Sequence, residues 1–209
     1  MAEETNLKTA LTPGLHEERK ADEPCTIVIF GASGDLTVRK LIPALYHLFI
    51  DGQMPEQFRV VGFARREKTD ESWREEMKAG IEKFSRSQQV DNAQWDSFAA
   101  NLSYHQGDLT DAEAYMGLGK KLAALSDERL AKNLVFYLAI SPSLFGEAVD
   151  QLYETKLLHR KEDEDKFWQR LVVEKPFGHD LQSARLLNNH LIRHARERQI
   201  FRIDHYLGK

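Results

Sequence analysis

The stretch that most constrains this chain is Thr26-Ile27-Val28-Ile29-Phe30, followed at once by Gly31-Ala32-Ser33-Gly34-Asp35-Leu36. The first run is apolar and β-branched and reads as a buried strand. From Leu36 to Ile50 apolar residues recur at helical spacing, with Leu41, Leu45, Leu48 and Phe49 on one side. Pro43 predicts a kink, or a helix that starts only shortly before it. Strand, glycine turn and helix N-terminus in that order make an anion site, because free N–H groups and the positive helix end face a pyrophosphate. Gly31 permits the tight turn, Gly34 lets backbone approach the phosphates, and Ser33 can add a hydroxyl donor. The spacing is G-x-x-G rather than G-x-G-x-x-G, and ordinary turns share it. Its place in the first turn of a βαβ unit favours a dinucleotide.

The rest of the chain repeats the alternation. Strands are predicted at Arg59 to Ala64, Leu102 to Gln106, Leu134 to Ala139, Leu171 to Glu174 and Ile200 to Ile203. Between them lie helical patterns: two over Thr69 to Ala100, then Asp111 to Leu125, Pro142 to Leu157 and Asp180 to Arg198. Asp70 is the expected N-cap of the first of these, with Trp73, Met77, Ile81 and Phe84 as its apolar stripe. This order predicts an α/β fold, a Rossmann-like doubly wound and mostly parallel sheet covered on both faces. Met1 to Pro24 is polar and of mixed charge, and reads as a flexible tail ahead of one domain over 25–209. Arg160 to Lys166 reads as a solvated loop.

Composition narrows the classes. No apolar run approaches a bilayer span, and the tail lacks the basic-then-apolar pattern of a secretory signal. With a net charge of -4 and mixed signs, neither a nucleic-acid nor a membrane surface is expected. The one cysteine, Cys25, allows no internal disulfide, so a reducing, cytoplasmic setting is expected. Cys25 itself reads as a small residue ahead of a strand.

The second strand discriminates between coenzymes. NAD-binding domains carry an acid near its end for the ribose 2′-hydroxyl. Here the strand ends Ala64-Arg65-Arg66, with no acid before Glu67. A guanidinium there would pair with the 2′-phosphate of NADP. The alternative is two exposed arginines that open a loop.

Three motifs then carry a family resemblance. Gly31-Ala32-Ser33-Gly34-Asp35-Leu36 with Arg39-Lys40 resembles the coenzyme fingerprint of glucose-6-phosphate dehydrogenases. Glu174-Lys175-Pro176-Phe177-Gly178 resembles their E-K-P-F-G motif, and Arg202-Ile203-Asp204-His205-Tyr206-Leu207-Gly208-Lys209 their R-I-D-H-Y-L-G-K signature. The resemblance implies that Gly31, Ser33, Gly34, Asp35 and Leu36 line the coenzyme phosphates and that Arg65 holds the 2′-phosphate. It places Tyr104 near the adenosine and Ala139 near the nicotinamide ribose. Lys175 would contact substrate and coenzyme. His205, Tyr206 and Lys209 would bind the phosphate of glucose 6-phosphate, and Asp204 would orient a catalytic histidine from a later segment. The implied reaction, the first step of the pentose phosphate pathway, oxidises the sugar phosphate to a lactone with hydride transfer to NADP. The family continues into a second α+β domain, which would carry the base and a homo-oligomer interface. The expectation is therefore a fragment that binds NADP and turns over slowly or not at all.

Other readings stand beside these. Lys175 at a strand end is also compatible with a solvated lysine. His205 with neighbouring Asp204 resembles a base and its orienter, but the family pattern makes His205 a phosphate anchor. His190 and His194, four apart on a helix, could pair on a metal. No third ligand is evident in sequence, so they read as surface histidines and no metal is assigned. A non-catalytic NADP-binding regulator would show coenzyme binding without affinity for the sugar phosphate. Dehydrogenases or epimerases with a Tyr-x-x-x-Lys pair are disfavoured, since no such pair occurs.

Overall fold

The computed structural model describes residues 23–84, 90–160, 166–178 and 180–204. Among them are strands β1 (Cys25–Phe30), β2 (Phe58–Ala64), β3 (Leu102–Gln106), β4 (Leu134–Leu138), β5 (Gln169–Glu174) and β6 (Ile200–Ile203). The helices are α1 (Ile42–Ile50), α2 (Asp70–Phe84), α3 (Asn92–Ala99), α4 (Ala112–Ala123), α5 (Glu128–Lys132), α6 (Phe145–Glu154) and α7 (Leu181–His194). All strand pairs are parallel, in the order β3-β2-β1-β4-β5-β6. This is the expected doubly wound sheet. The winding reverses between β1 and β4, and ligands of such sheets bind in that crevice, beyond the carboxyl ends of the strands.

The period-2 alternation of the strands feeds two cores. Val28 and Phe30 of β1, Val61 and Phe63 of β2, and Phe136 of β4 face α4, α6 and α7. Ile29 and Val60 face the opposite way, onto Tyr46 of α1, Trp73 and Met77 of α2, and Phe98 of α3. Among the described residues no helix is long and apolar enough to cross a membrane.

Several local expectations are corrected. Of the expected stripe, Leu41, Leu45 and Phe49 are partly buried against the core but Leu48 is 38% exposed, and the fully buried positions are Ile42, Pro43 and Tyr46. Tyr46 sets that rotation by packing edge-on against Phe98, with ring centroids 5.5 Å apart. The irregularity at Pro43 takes the form of a π-helical turn, Thr37–Leu41, in which Ile42 N–H bonds back to Thr37 O. Pro43 has no N–H to continue the α pattern.

At the start of α2 the cap is Thr69, not Asp70. Ser72 N–H donates to Thr69 Oγ1 at 3.1 Å, and Thr69 N–H to Ser72 Oγ at 3.0 Å. Asp70 instead accepts Tyr104 N–H at 2.6 Å, tying α2 to β3. The short helix α5 went unpredicted. It is capped by Asp127, which accepts Arg129 N–H at 2.7 Å. The helix expected up to Arg198 ends at His194, and a 3-10 turn, Glu197–Gln199, leads into β6.

Candidate functional site

The glycine turn lies at the β1/β4 crevice. Gly31 has φ +86, the left-handed region open to glycine. A Cβ there would sit 2.2 Å from Ala139 O, so only glycine lets the β1 turn pass this close to the end of β4. Gly31 N–H and Ala32 N–H both donate to Phe63 O, at 2.9 and 3.2 Å, which anchors the turn to β2. Thr37 Oγ1 donates to Gly31 O at 3.1 Å, and Trp73 Nε1 to Ala32 O at 3.1 Å. The first bond back along the helix is Val38 N–H to Gly34 O at 3.3 Å. The amides just before Val38 therefore have no intrahelical acceptor and remain available to an anion.

Above the turn opens a cavity of about 420 Å³ lined by Gly31, Ser33, Gly34, Arg65, Arg66 and Ala139, among others. The structure thus brings together five of the expected coenzyme positions: Gly31, Ser33, Gly34, Arg65 and Ala139. Asp35 and Leu36 do not line it. The Asp35 carboxylate is 77% exposed and pairs with Arg39 at 3.2 Å. A carboxylate would repel phosphate, so Asp35 could serve an anion only through its backbone N–H.

Tyr104 is buried behind the cavity rather than lining it. Its hydroxyl donates to Ala64 O at 3.1 Å and to Arg66 O at 2.6 Å. Burial raises its pKa above the ordinary 10.0, which keeps it a donor. Gln106 Nε2 reaches Arg65 O at 3.4 Å, and Gly107 N–H holds Ala64 O at 3.0 Å. Three neighbours thus fix the loop from which both guanidinium groups extend, exposed, over the cavity.

Sequence reasoning missed the opposite wall, Gly107-Asp108-Leu109-Thr110, along with Ile140, Ser141 and Leu144. A signal was present: residues 107–110 repeat the Gly34-Asp35-Leu36-Thr37 of the first turn. Asp108 accepts Thr110 N–H at 3.0 Å and Thr110 Oγ1 at 2.9 Å. These bonds, with the positive charge of Arg65 adding to them, hold its carboxyl below the ordinary 3.8. Gly107 is required here, since a Cβ would lie 2.6 Å from Ala114 Cβ and 2.7 Å from the Phe63 ring.

Further along the same sheet edge stand Lys175 and Asp204. Lys175 follows β5 and donates from Nζ to Asp204 Oδ2, just past β6. Lys175 N–H bonds Ile203 O at 3.1 Å, fixing the two strand ends side by side. The Lys175-Pro176 bond is cis. Lys175 is two strands from Gly31, about 10 Å at ordinary strand spacing. Tyr137, on β4, donates to Glu174, and burial first, then that carboxylate, raises its pKa far above 10.0. The expected phosphate anchors His205, Tyr206 and Lys209 lie outside the described residues.

His190 and His194 differ from expectation. They are half-buried, and each brings Nε2 to within 2.8 Å of Asp150 Oδ1 on α6.

The glycine cradle and its two cations fit a dinucleotide with an extra phosphate. The comparisons with known proteins agree on the class. A family model described as glucose-6-phosphate dehydrogenase, NAD binding domain, matches residues 28–209. The chain is 43% identical over 187 residues to the glucose-6-phosphate 1-dehydrogenase of Chlamydia muridarum, covering 89% of this chain and 37% of that protein. It is 35% identical over 206 residues to that of Caenorhabditis elegans, covering 98% and 38%. A solved glucose-6-phosphate dehydrogenase in complex with its substrate glucose-6-phosphate superposes with a TM-score of 0.75 at 38% identity, over 90% of this chain and 38% of that one. The enzyme from Mycobacterium avium gives 0.72 at 33% identity, over 86% and 36%. The chain thus spans less than half the length of these relatives, and NADP is the coenzyme of the family. By its sheet order, its glycine turn and the match over residues 28–209, this chain belongs to the glucose-6-phosphate dehydrogenase family, through that family's coenzyme-binding domain.

Proposed function

We propose that the chain is the coenzyme-binding portion of a glucose-6-phosphate 1-dehydrogenase that prefers NADP over NAD. The observation that carries this is the cavity at the β1/β4 crevice, with Arg65 and Arg66 on its rim and no acid at the end of β2. A guanidinium bonded to a phosphate through two parallel N–H donors is a strong, directional contact, and a carboxylate in its place would repel that phosphate.

The bound coenzyme supplies the hydride acceptor. The protein's own residues supply placement. The free amides at the helix start, just before Val38, would hold the pyrophosphate, with the glycine turn giving it close access. Ala139 closes the cavity beside the turn and would lie next to the nicotinamide ribose, on the sheet edge that also carries Lys175. Lys175 holds a sugar oxygen, and Asp204 orients the group that takes the C1 hydroxyl proton as hydride leaves C1 and the lactone forms. His205, Tyr206 and Lys209 bind the sugar phosphate, whose remote binding energy keeps C1 in line. In the intact enzyme this is the first step of the pentose phosphate pathway.

Titrating glucose 6-phosphate into the NADP-saturated chain, read by calorimetry, tests the substrate. Saturable heat is the expected result. Binding of NADP without any response to the sugar phosphate would instead favour a regulator built on the same domain.

A further inference from the structure

We infer that Asp150, His190 and His194 form a binding site for a late first-row divalent cation, of which Zn²⁺ is the natural probe. The three potential ligand atoms, one from each side chain, lie within 4.8 Å of one another. His190 and His194 are one helical turn apart on α7, so both imidazoles project from one face. Asp150 comes from α6, which packs against α7. Each Nε2 lies 2.8 Å from the same Asp150 Oδ1. Ligand atoms around a tetrahedral zinc at about 2.0–2.1 Å stand roughly 3.3 Å apart, so each Nε2–Oδ1 separation widens by about half an ångström to admit an ion.

Two imidazoles and one carboxylate suit zinc, which leaves a fourth position for water. Room for it exists beside the rings. Gly146 stands one turn before Asp150 on α6, and even a built Cβ there would be 3.5 Å from His190 Nε2. The absence of that methyl leaves the space next to the nitrogen open. The rings already meet edge to face, with centroids 5.6 Å apart, and Tyr153 covers His194 at 4.5 Å. His194 Nδ1 is buried without a hydrogen-bond partner. Lacking an outer partner to orient that ring, the site should be about 10- to 100-fold weaker than one that has it. The affinity expected is micromolar.

None of the three side chains lines the coenzyme cavity. The ion would cross-link α6 and α7 and take no part in hydride transfer, so this inference stands apart from the proposed function.

Calorimetry of Zn²⁺ into the metal-free chain tests it. One micromolar site is expected, weakened at least tenfold in each of His190→Gln, His194→Gln and Asp150→Asn, with a Zn²⁺-dependent rise in Tm only in the unaltered chain. Affinity in the His190→Gln and His194→Gln variants equal to that of the unaltered chain, or no saturable binding, overturns the inference. Should the variants fail to fold, Co²⁺ substitution in the unaltered chain decides. Intense visible bands of tetrahedral coordination support the site, and the weak spectrum of the hydrated ion overturns it.

Discussion

Gly31 and Ala139 approach so closely that a Cβ on the first would lie 2.2 Å from the carbonyl oxygen of the second. The contact is backbone against backbone, across the point where the winding of the sheet reverses. Ala139 N–H meanwhile donates to Phe30 O at 2.9 Å, so neither segment can withdraw without breaking the β1–β4 ladder. The floor of the cavity is therefore narrow, rigid and made of main chain.

Gly31→Ala should consequently be severe. The left-handed φ costs about 1–2 kcal/mol for an L-residue, and the clash adds to it. Gly52 also has a positive φ, +69, but nothing lies within 4 Å of its built Cβ. Gly52→Ala should then lose only the backbone cost. Urea midpoints of the two variants measure the difference, and equal losses would remove the steric argument.

Arg65→Ala should weaken NADP binding by about 10- to 100-fold, the loss of a charge-assisted contact of roughly 1.5–3 kcal/mol. NAD binding should change little, because its ribose carries no phosphate for the guanidinium. Fluorescence titration of both coenzymes checks this. A parallel loss for both would mean that Arg65 supports the loop rather than reads the phosphate.

Tyr104→Phe keeps the buried ring and removes the hydroxyl that holds Ala64 O and Arg66 O. A stability loss of about 1–2 kcal/mol is expected, with a several-fold weaker grip on NADP because the arginine loop is freed. An unchanged urea midpoint together with unchanged NADP affinity would contradict it.

His105 gives the domain a pH dependence. Burial lowers its pKa below the ordinary 6.5, against the opposing bond from Nε2 to Ala114 O at 2.8 Å, with Lys121 adding to the depression. The unfolded chain then binds more protons than the folded one just below pH 6.5. Stability from this group is full above that value and is lost as pH falls through it toward the folded pKa. Between about pH 7.5 and about pH 5.5 the fall in Tm should be smaller in His105→Gln than in the unaltered chain. Identical pH slopes would exclude His105 as the source.

Much of this was legible in the sequence. The alternation of β-branched runs and helical patterns set the sheet and both cores, because period-2 burial and helical spacing are local signals. The glycine turn and Arg65 could be read for the same reason, since one short segment carries each. The resemblance puts Tyr104 near the adenosine, but its hold on the arginine loop is not legible locally, because its partners Ala64 and Arg66 are about forty positions away and meet it only across β2 and β3. Asp150 was invisible beside His190 and His194 until α6 and α7 were packed together. The Gly107–Thr110 wall is not legible although its letters repeat the first turn, because nothing in a loop sequence says which crevice it borders.

Calorimetric titration of NADP⁺ and NAD⁺ into the purified 209-residue chain bears most directly on the central claim. NADP⁺ should bind at least about tenfold more tightly, the worth of one guanidinium–phosphate contact. Equal affinities, or no heat from either coenzyme, would contradict it.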